Sequence, residues 1–115
     1  MATVLNDRVT IRVRMVAFHQ PDQDGNVVIR EVQVPLSQWR QCRHQDDELS
    51  LVFHNGQNDV QTIEGRYSVS CGDVIELDDK LFIVAPMSFD EMSESQYKIY
   101  ERRRQSELRH GRWLP

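Results

Sequence analysis

The amino-acid sequence predicts an α+β domain: an antiparallel sheet of about five to six strands, open or curled into a partial barrel, with one short internal helix and a C-terminal helix. Three observations predict it. Residues 8–18 and 27–34 are rich in β-branched side chains, and the first of them alternates apolar with polar residues at the period of a half-buried strand. The segments between candidate strands carry turn chemistry and show no strand–helix–strand rhythm, which favours antiparallel pairing. From Ser88 onward the period becomes helical.

Val9, Ile11, Val13, Met15 and Ala17 point one way and Thr10, Arg12 and Arg14 the other, until Val16 and Phe18 break the polarity. Gln20–Asn26 contains Pro21, Asp22, Asp24 and Gly25, the composition of a hairpin loop. Val27–Val34 forms the returning strand, and Pro35 ends it because proline has no N–H for a ladder. Leu36, Trp39 and Cys42 or Arg43 then fall three apart, as on one side of a short helix that Ser37 can cap. Gln45–Asp47 reads as a loop, Leu49–Phe53 as a third strand, His54–Asp59 as a polar turn and Val60–Ile63 as a short strand or extended loop. Val74–Leu77 and Leu81–Ala85 make a hairpin around Asp78-Asp79, closed by Pro86. The terminal helix has two equally good starts. Ser88 with Glu91 fits a capping box stapled by Met87 and Met92, and Ser93 with Gln96 fits one stapled by Met92 and Tyr97. It should run to about His110, with Gly111 as the stop.

A chain of 115 residues fits one domain. The apolar pattern fades after Tyr100, so residues 1–100 are expected to form the compact unit and 101–115 an Arg-rich helix end and polar tail. No apolar run approaches the ~20 residues that span a bilayer, and the chain does not open on an export signal. Both features predict a cytoplasmic protein with no membrane partner. Cys42 and Cys71 are too few for a disulfide framework and are expected as reduced, buried thiols. The formal charge is −4, from 14 basic and 18 acidic residues, which argues against a general nucleic-acid binder. The charge is nevertheless polarised. Asp73, Glu76, Asp78, Asp79, Asp90, Glu91 and Glu94 crowd one stretch, whereas Lys98, Arg102, Arg103, Arg104, Arg109 and Arg112 crowd the end.

No nucleophile elbow, phosphate loop or dinucleotide fingerprint is present. His54, Asp59 and Cys71 lack the spacing of a metal set, and Cys71 with His54 and Asp73 or Asp59 can be written as a nucleophile–base–acid trio only on paper. The acidic hairpin reads as a charged tip that keeps an edge soluble. No catalytic residue, metal or cofactor is therefore expected. The terminal helix is the most informative feature. Met92, Ile99 and Gln96 or Arg103 form its stripe, Tyr97 and Tyr100 flank it, and Arg102, Arg103 and Arg104 spread around it so that at least one faces inward. Tyr97, Tyr100, Arg102, Arg103, Arg104, Arg112 and Trp113 are the candidate partner-binding residues. Aromatic rings beside arginines suit a protein hot spot and equally stacking plus phosphate contact. The expected partner is a protein, another chain or a second copy. The alternatives are a nucleic acid and, third, a hydrolase built on Cys71 or the Ser68 and Ser70 hydroxyls.

The stretch Arg66–Ile75, RYSVSCGDVI, followed by a strand and FIVAPMSFDEM, resembles the YodL-type domain, a small module of bacterial genomes and mobile elements. That family's core reads roughly R-S-x-S-V-G-D-V-I/V. Arg66, Ser68, Val69, Ser70, Gly72, Asp73, Val74 and Ile75 match it, while Cys71, Tyr67, Met87-Ser88-Phe89 and Met92 depart from it. The resemblance covers about residues 50–92 and implies a bacterial setting and a β-rich fold without assigned catalysis. On their own chemistry, Gly72 suits a positive φ before the strand and Asp73 suits a cap on local N–H groups. Arg66, Ser68, Ser70 and Asp73 are the alternative candidate pocket.

Overall fold

A computed structural model describes residues 3–5, 7–62 and 67–109. Six antiparallel strands form one open sheet: β1 (Thr3–Leu5), β2 (Arg8–Arg14), β3 (Ile29–Pro35), β4 (Val74–Leu77), β5 (Lys80–Val84) and β6 (Phe89–Met92). Among them run the helices α1 (Leu36–Trp39), α2 (Gln45–Asn55) and α3 (Glu94–Arg109). The sheet does not close. β3 flanks one side of β2, while β1 and β4 share its other side, and β5 and β6 follow outward from β4.

The alternation read in β2 sets the layers. Val9, Ile11 and Val13 are buried and pair with Val34, Val32 and Arg30 of β3. That face packs under α1 and α2 through Leu36, Trp39, Leu49 and Val52. The other face takes α3 against Val16, Val74 and Leu81. Helices therefore cover both faces of the central strands, which is why Val74, Ile75 and Leu77 of β4 are all buried. Asp78 and Asp79 both have positive φ, 53° and 61°, as the tight two-residue turn between β4 and β5 demands. Between β2 and β3, Asp22 Oδ1 accepts the N–H groups of Asp24 and Asn26, each at 2.9 Å.

Two expectations are corrected. Gln45–Asp47 and Leu49–Phe53 are not loop and strand but the helix α2. A five-residue segment with four apolar residues fits either period, and Ser50 between two leucines imitates strand alternation. The helical signal lay just upstream. Asp46, Asp47 and Glu48 occupy the first turn, and the Asp47 carboxylate accepts the N–H groups of Arg43 and His44 at 3.1 and 3.2 Å. Because His44 holds the cap position, the usual Ser/Thr signature is missing. Among the described residues the internal helices are thus two and not one, and Val60, expected in a short strand or an extended loop, lies in a turn. For the last helix, Ser93 and Gln96 form the working box: the Gln96 amide oxygen accepts the Ser93 N–H at 2.8 Å, and Ser93 Oγ accepts the Gln96 N–H at 3.1 Å. The rival start is consumed by β6. The expected stop at Gly111 lies outside the described residues.

After α2 the chain folds back on itself. The Val69 N–H donates to the Gly56 carbonyl at 3.0 Å, and a Cβ built on Gly56 would sit 2.4 Å from Val69 Cγ2. We expect Gly56→Ala to cost about 1–3 kcal/mol in urea unfolding. The cost should shrink in a Val69→Ala background; strictly additive losses would show that this contact is not its cause.

Candidate functional site

The residues singled out in the terminal helix do not share one surface. Tyr97 is buried, Tyr100 is half-buried and Arg104 is buried, so these three form the inward stripe, spaced three and four apart. Ile99, expected within the stripe, is instead 71% exposed. The larger rings win the buried side because the sheet offers them specific seats. The Arg14 guanidinium lies 4.4 Å from the Tyr97 ring centroid, and it is itself held by Glu76 at 2.6 Å and Glu94 at 3.4 Å. Burial, with the Glu101 carboxylate adding to it, pushes the Tyr97 hydroxyl well above the ordinary tyrosine range. The Tyr100 hydroxyl donates to the Gly72 carbonyl, and burial pushes its pKa up to about 12. Arg104 Nε donates to the Ala17 carbonyl at 2.7 Å, with its guanidinium 5.9 Å from the Phe18 ring centroid.

Tyr97, Tyr100 and Arg104 are therefore anchors of the fold, which corrects their assignment to a partner surface. Arg104 is the inward arginine of the three. The helix also keeps contact with the body beyond Tyr100, because Gln20 Nε2 donates to the Leu108 carbonyl and Gln105 Nε2 to the Gly25 carbonyl. Arg102 and Arg103 remain exposed and make no salt bridge among the described residues. With Ile99 they lie three and four residues apart on the outward face. Arg112 and Trp113 lie outside the described residues.

The second candidate group meets at one buried turn. Asp73 is 1% exposed; its Oδ2 accepts the Ser70 N–H at 2.8 Å and its Oδ1 accepts the Ala17 N–H at 3.0 Å. Burial pushes its pKa up to about 6, against the pull of those N–H groups and of Arg30. Gly72 has φ of 96°, as expected, and a Cβ there would press on Ala17 and on the Tyr100 hydroxyl. Ser68 Oγ accepts the Asn58 N–H at 2.9 Å, and Ser70 Oγ donates to the Ser68 carbonyl at 3.0 Å. The polar atoms of this motif thus tie four chain segments together: the turn itself, residues 15–18, α3 and, through Ser68, the segment that follows α2. Arg66 lies outside the described residues.

One residue escaped sequence reasoning altogether. Arg30 sits on the apolar face of β3 and is 1% exposed. Its guanidinium donates to the Tyr67 carbonyl at 2.7 Å, the Gln61 carbonyl at 2.5 Å and Asn58 Oδ1 at 2.8 Å, leaving buried Nε without a partner. In a period-two strand an arginine between Val28 and Val32 was the available signal.

Two grooves flank α2. One, of about 530 Å³, lies between α2 and the β5–β6 turn and includes Cys71; the other, of about 440 Å³, lies between α1 and α2 and includes Cys42 and His54. Cys71 is an exposed free thiol and Cys42 a half-exposed one, which corrects their expected burial. Burial and the nearby Glu48 and Asp47 carboxylates push the Cys42 thiol pKa up. His54 and Cys71 open onto different grooves, so the paper trio is not assembled. Among the described residues no three His, Cys, Asp or Glu side chains gather as metal ligands, and no helix is long and apolar enough to cross a membrane. A scan against family models matches nothing, and neither curated proteins nor solved structures return a similar chain.

Proposed function

We propose that this protein is a non-catalytic binding or adaptor module of a bacterial cytoplasm that holds a partner protein through the outward face of α3. The observation that carries this reading is Ile99, 71% exposed beside the exposed Arg102 and Arg103. An apolar anchor flanked by arginines has the composition of a protein hot spot. The bacterial setting, and an association with mobile elements, come from the resemblance to the YodL-type domain. The Ser68, Ser70 and Asp73 side chains of the motif that carries that resemblance serve backbone hydrogen bonds, which supports a structural role for them over substrate chemistry.

A second reading, a nucleic-acid-binding accessory protein, rests on the same helix. Lys98, Arg102, Arg103 and Arg109 are exposed along it, and Glu94 is its one exposed acid among the described residues. The test combines a pull-down with a salt series. A partner protein retained by the wild type should weaken about thirtyfold with Ile99→Asp or with Arg102→Ala and Arg103→Ala together. Equal retention by wild type and variants would sink the reading. Binding to DNA or RNA that falls steeply with salt would favour the second one instead.

A further inference from the structure

Two edges of the sheet, those of β3 and β6, are treated differently. On β3 the edge is blocked. The Gln61 carboxamide accepts the Gln33 N–H at 2.9 Å and donates to the Gln33 carbonyl at 2.7 Å, imitating a neighbouring strand, and Pro35 has no N–H to offer. On β6 no such plug exists among the described residues. The Ala85 N–H donates to the Ser88 carbonyl at 2.9 Å, so the bonded pairs of this ladder are Ala85–Ser88, Ile83–Asp90 and Leu81–Met92. The intervening residues Phe89 and Glu91 therefore aim their N–H and C=O groups away from β5. The Phe89 side chain turns toward the α2 side of the sheet, where it lines the 530 Å³ groove with Phe53, Val84 and Asp46, and Met87, 95% exposed, stands at the rim. Glu91 shares the Phe89 face by the period of two.

We propose that the β6 edge and this groove receive an extended segment of a partner protein, added as a further antiparallel or parallel strand, with an apolar and a basic side chain two residues apart on the face it turns toward α2. Phe89 and Glu91 supply the backbone bonds, the groove takes an apolar side chain against Phe53 and Phe89, and a lysine or arginine meets Asp46 and Glu91. Charge also selects against a second copy: pairing β6 with β6 would bring Asp90 and Glu91 of one chain onto the same acids of the other. This surface is separate from the outward face of α3, and neither reading depends on the other.

The test is a titration of the ¹⁵N-labelled protein with an acetylated peptide of about six residues that carries valine and lysine at successive alternate positions, on one face, and threonine at the others. The expected result is a shift of the Phe89 and Glu91 amides, with binding weakened about tenfold or more when alternate peptide nitrogens are methylated. Asp46→Lys should weaken the lysine peptide and strengthen a valine–glutamate one. Four outcomes would overturn the proposal: no binding, equal binding of the methylated peptide, shifts confined to Ile99 and Arg102, or the same β6 shifts produced by raising protein concentration alone. The last would identify a second copy as the occupant.

Discussion

Arg30→Met is expected to lower the unfolding free energy by about 2–4 kcal/mol, as each of several half-buried acceptors loses its charged donor. Methionine restores most of the apolar stem, so little of the loss comes from a cavity. What disappears is the donor to the carbonyls of Gln61 and Tyr67 and to Asn58 Oδ1. These acceptors belong to the segment that follows α2, and Gln61 of that segment also plugs the β3 edge. Loss of the guanidinium should therefore loosen this segment before the sheet. Hydrogen exchange would show faster exchange at Gln33 and Val69 while Val13 and Ile75 stay protected. Arg30→Lys should fall between wild type and Arg30→Met, because a single ammonium cannot reach three acceptors in a plane. Unchanged stability in Arg30→Met would mean that water replaces the guanidinium at no cost.

The contrast between Arg12 and Arg30 shows where sequence reading stops. Arg12 lies on the polar side of an alternating strand and is exposed, bonded to Glu76 at 3.2 Å. Arg30 lies on the apolar side, and no local pattern tells whether such an arginine flips the register or is buried and paid for by distant carbonyls. Its acceptors are 28–37 residues away, in a segment without regular structure. Local patterns did recover β2, the β4–β5 hairpin with its Asp78-Asp79 turn, the positive φ of Gly72 and the capping role of Asp73. They failed where two periods fit equally, at Leu49–Phe53, and where a short strand depends on its neighbour, at β1 and β6. They failed again on α3, where residue type alone ranks Ile99 above Arg104 for burial. Ala17 reverses that ranking: its carbonyl, left over after β2 ends, needs a donor, and Arg104 is long enough to bring one. The candidate partner surface was thus legible only as a helix, not as a face of it.

Asp73→Ala is expected to cost about 2–5 kcal/mol, because the Ala17 and Ser70 N–H groups would be left buried without an acceptor. The pH dependence gives a second, independent measurement. The carboxyl titrates near 6 in the folded chain, against an ordinary value of 3.8. A raised carboxyl pKa means that the native state binds the proton more tightly than the unfolded state does. Stability linked to this group is thus fully present below about pH 4 and is lost as pH rises toward and through 6, by up to about 3 kcal/mol. The loss reflects the cost of ionising a carboxyl that solvent hardly reaches, which the backbone donors of Ala17, Ser70 and Val16 and the more distant Arg30 offset only in part. Between pH 4 and pH 7 the wild type should lose stability relative to Asp73→Asn, whose amide cannot ionise. Asn also turns an NH2 donor toward one of the two N–H groups, where the hydroxyl of the neutral carboxyl can still accept, so this variant starts lower at low pH; the difference between the two proteins must narrow as pH rises. Urea unfolding at a series of pH values decides the matter. A constant difference would show that Asp73 is ionised in the native state throughout this range, and that the backbone N–H groups outweigh its desolvation.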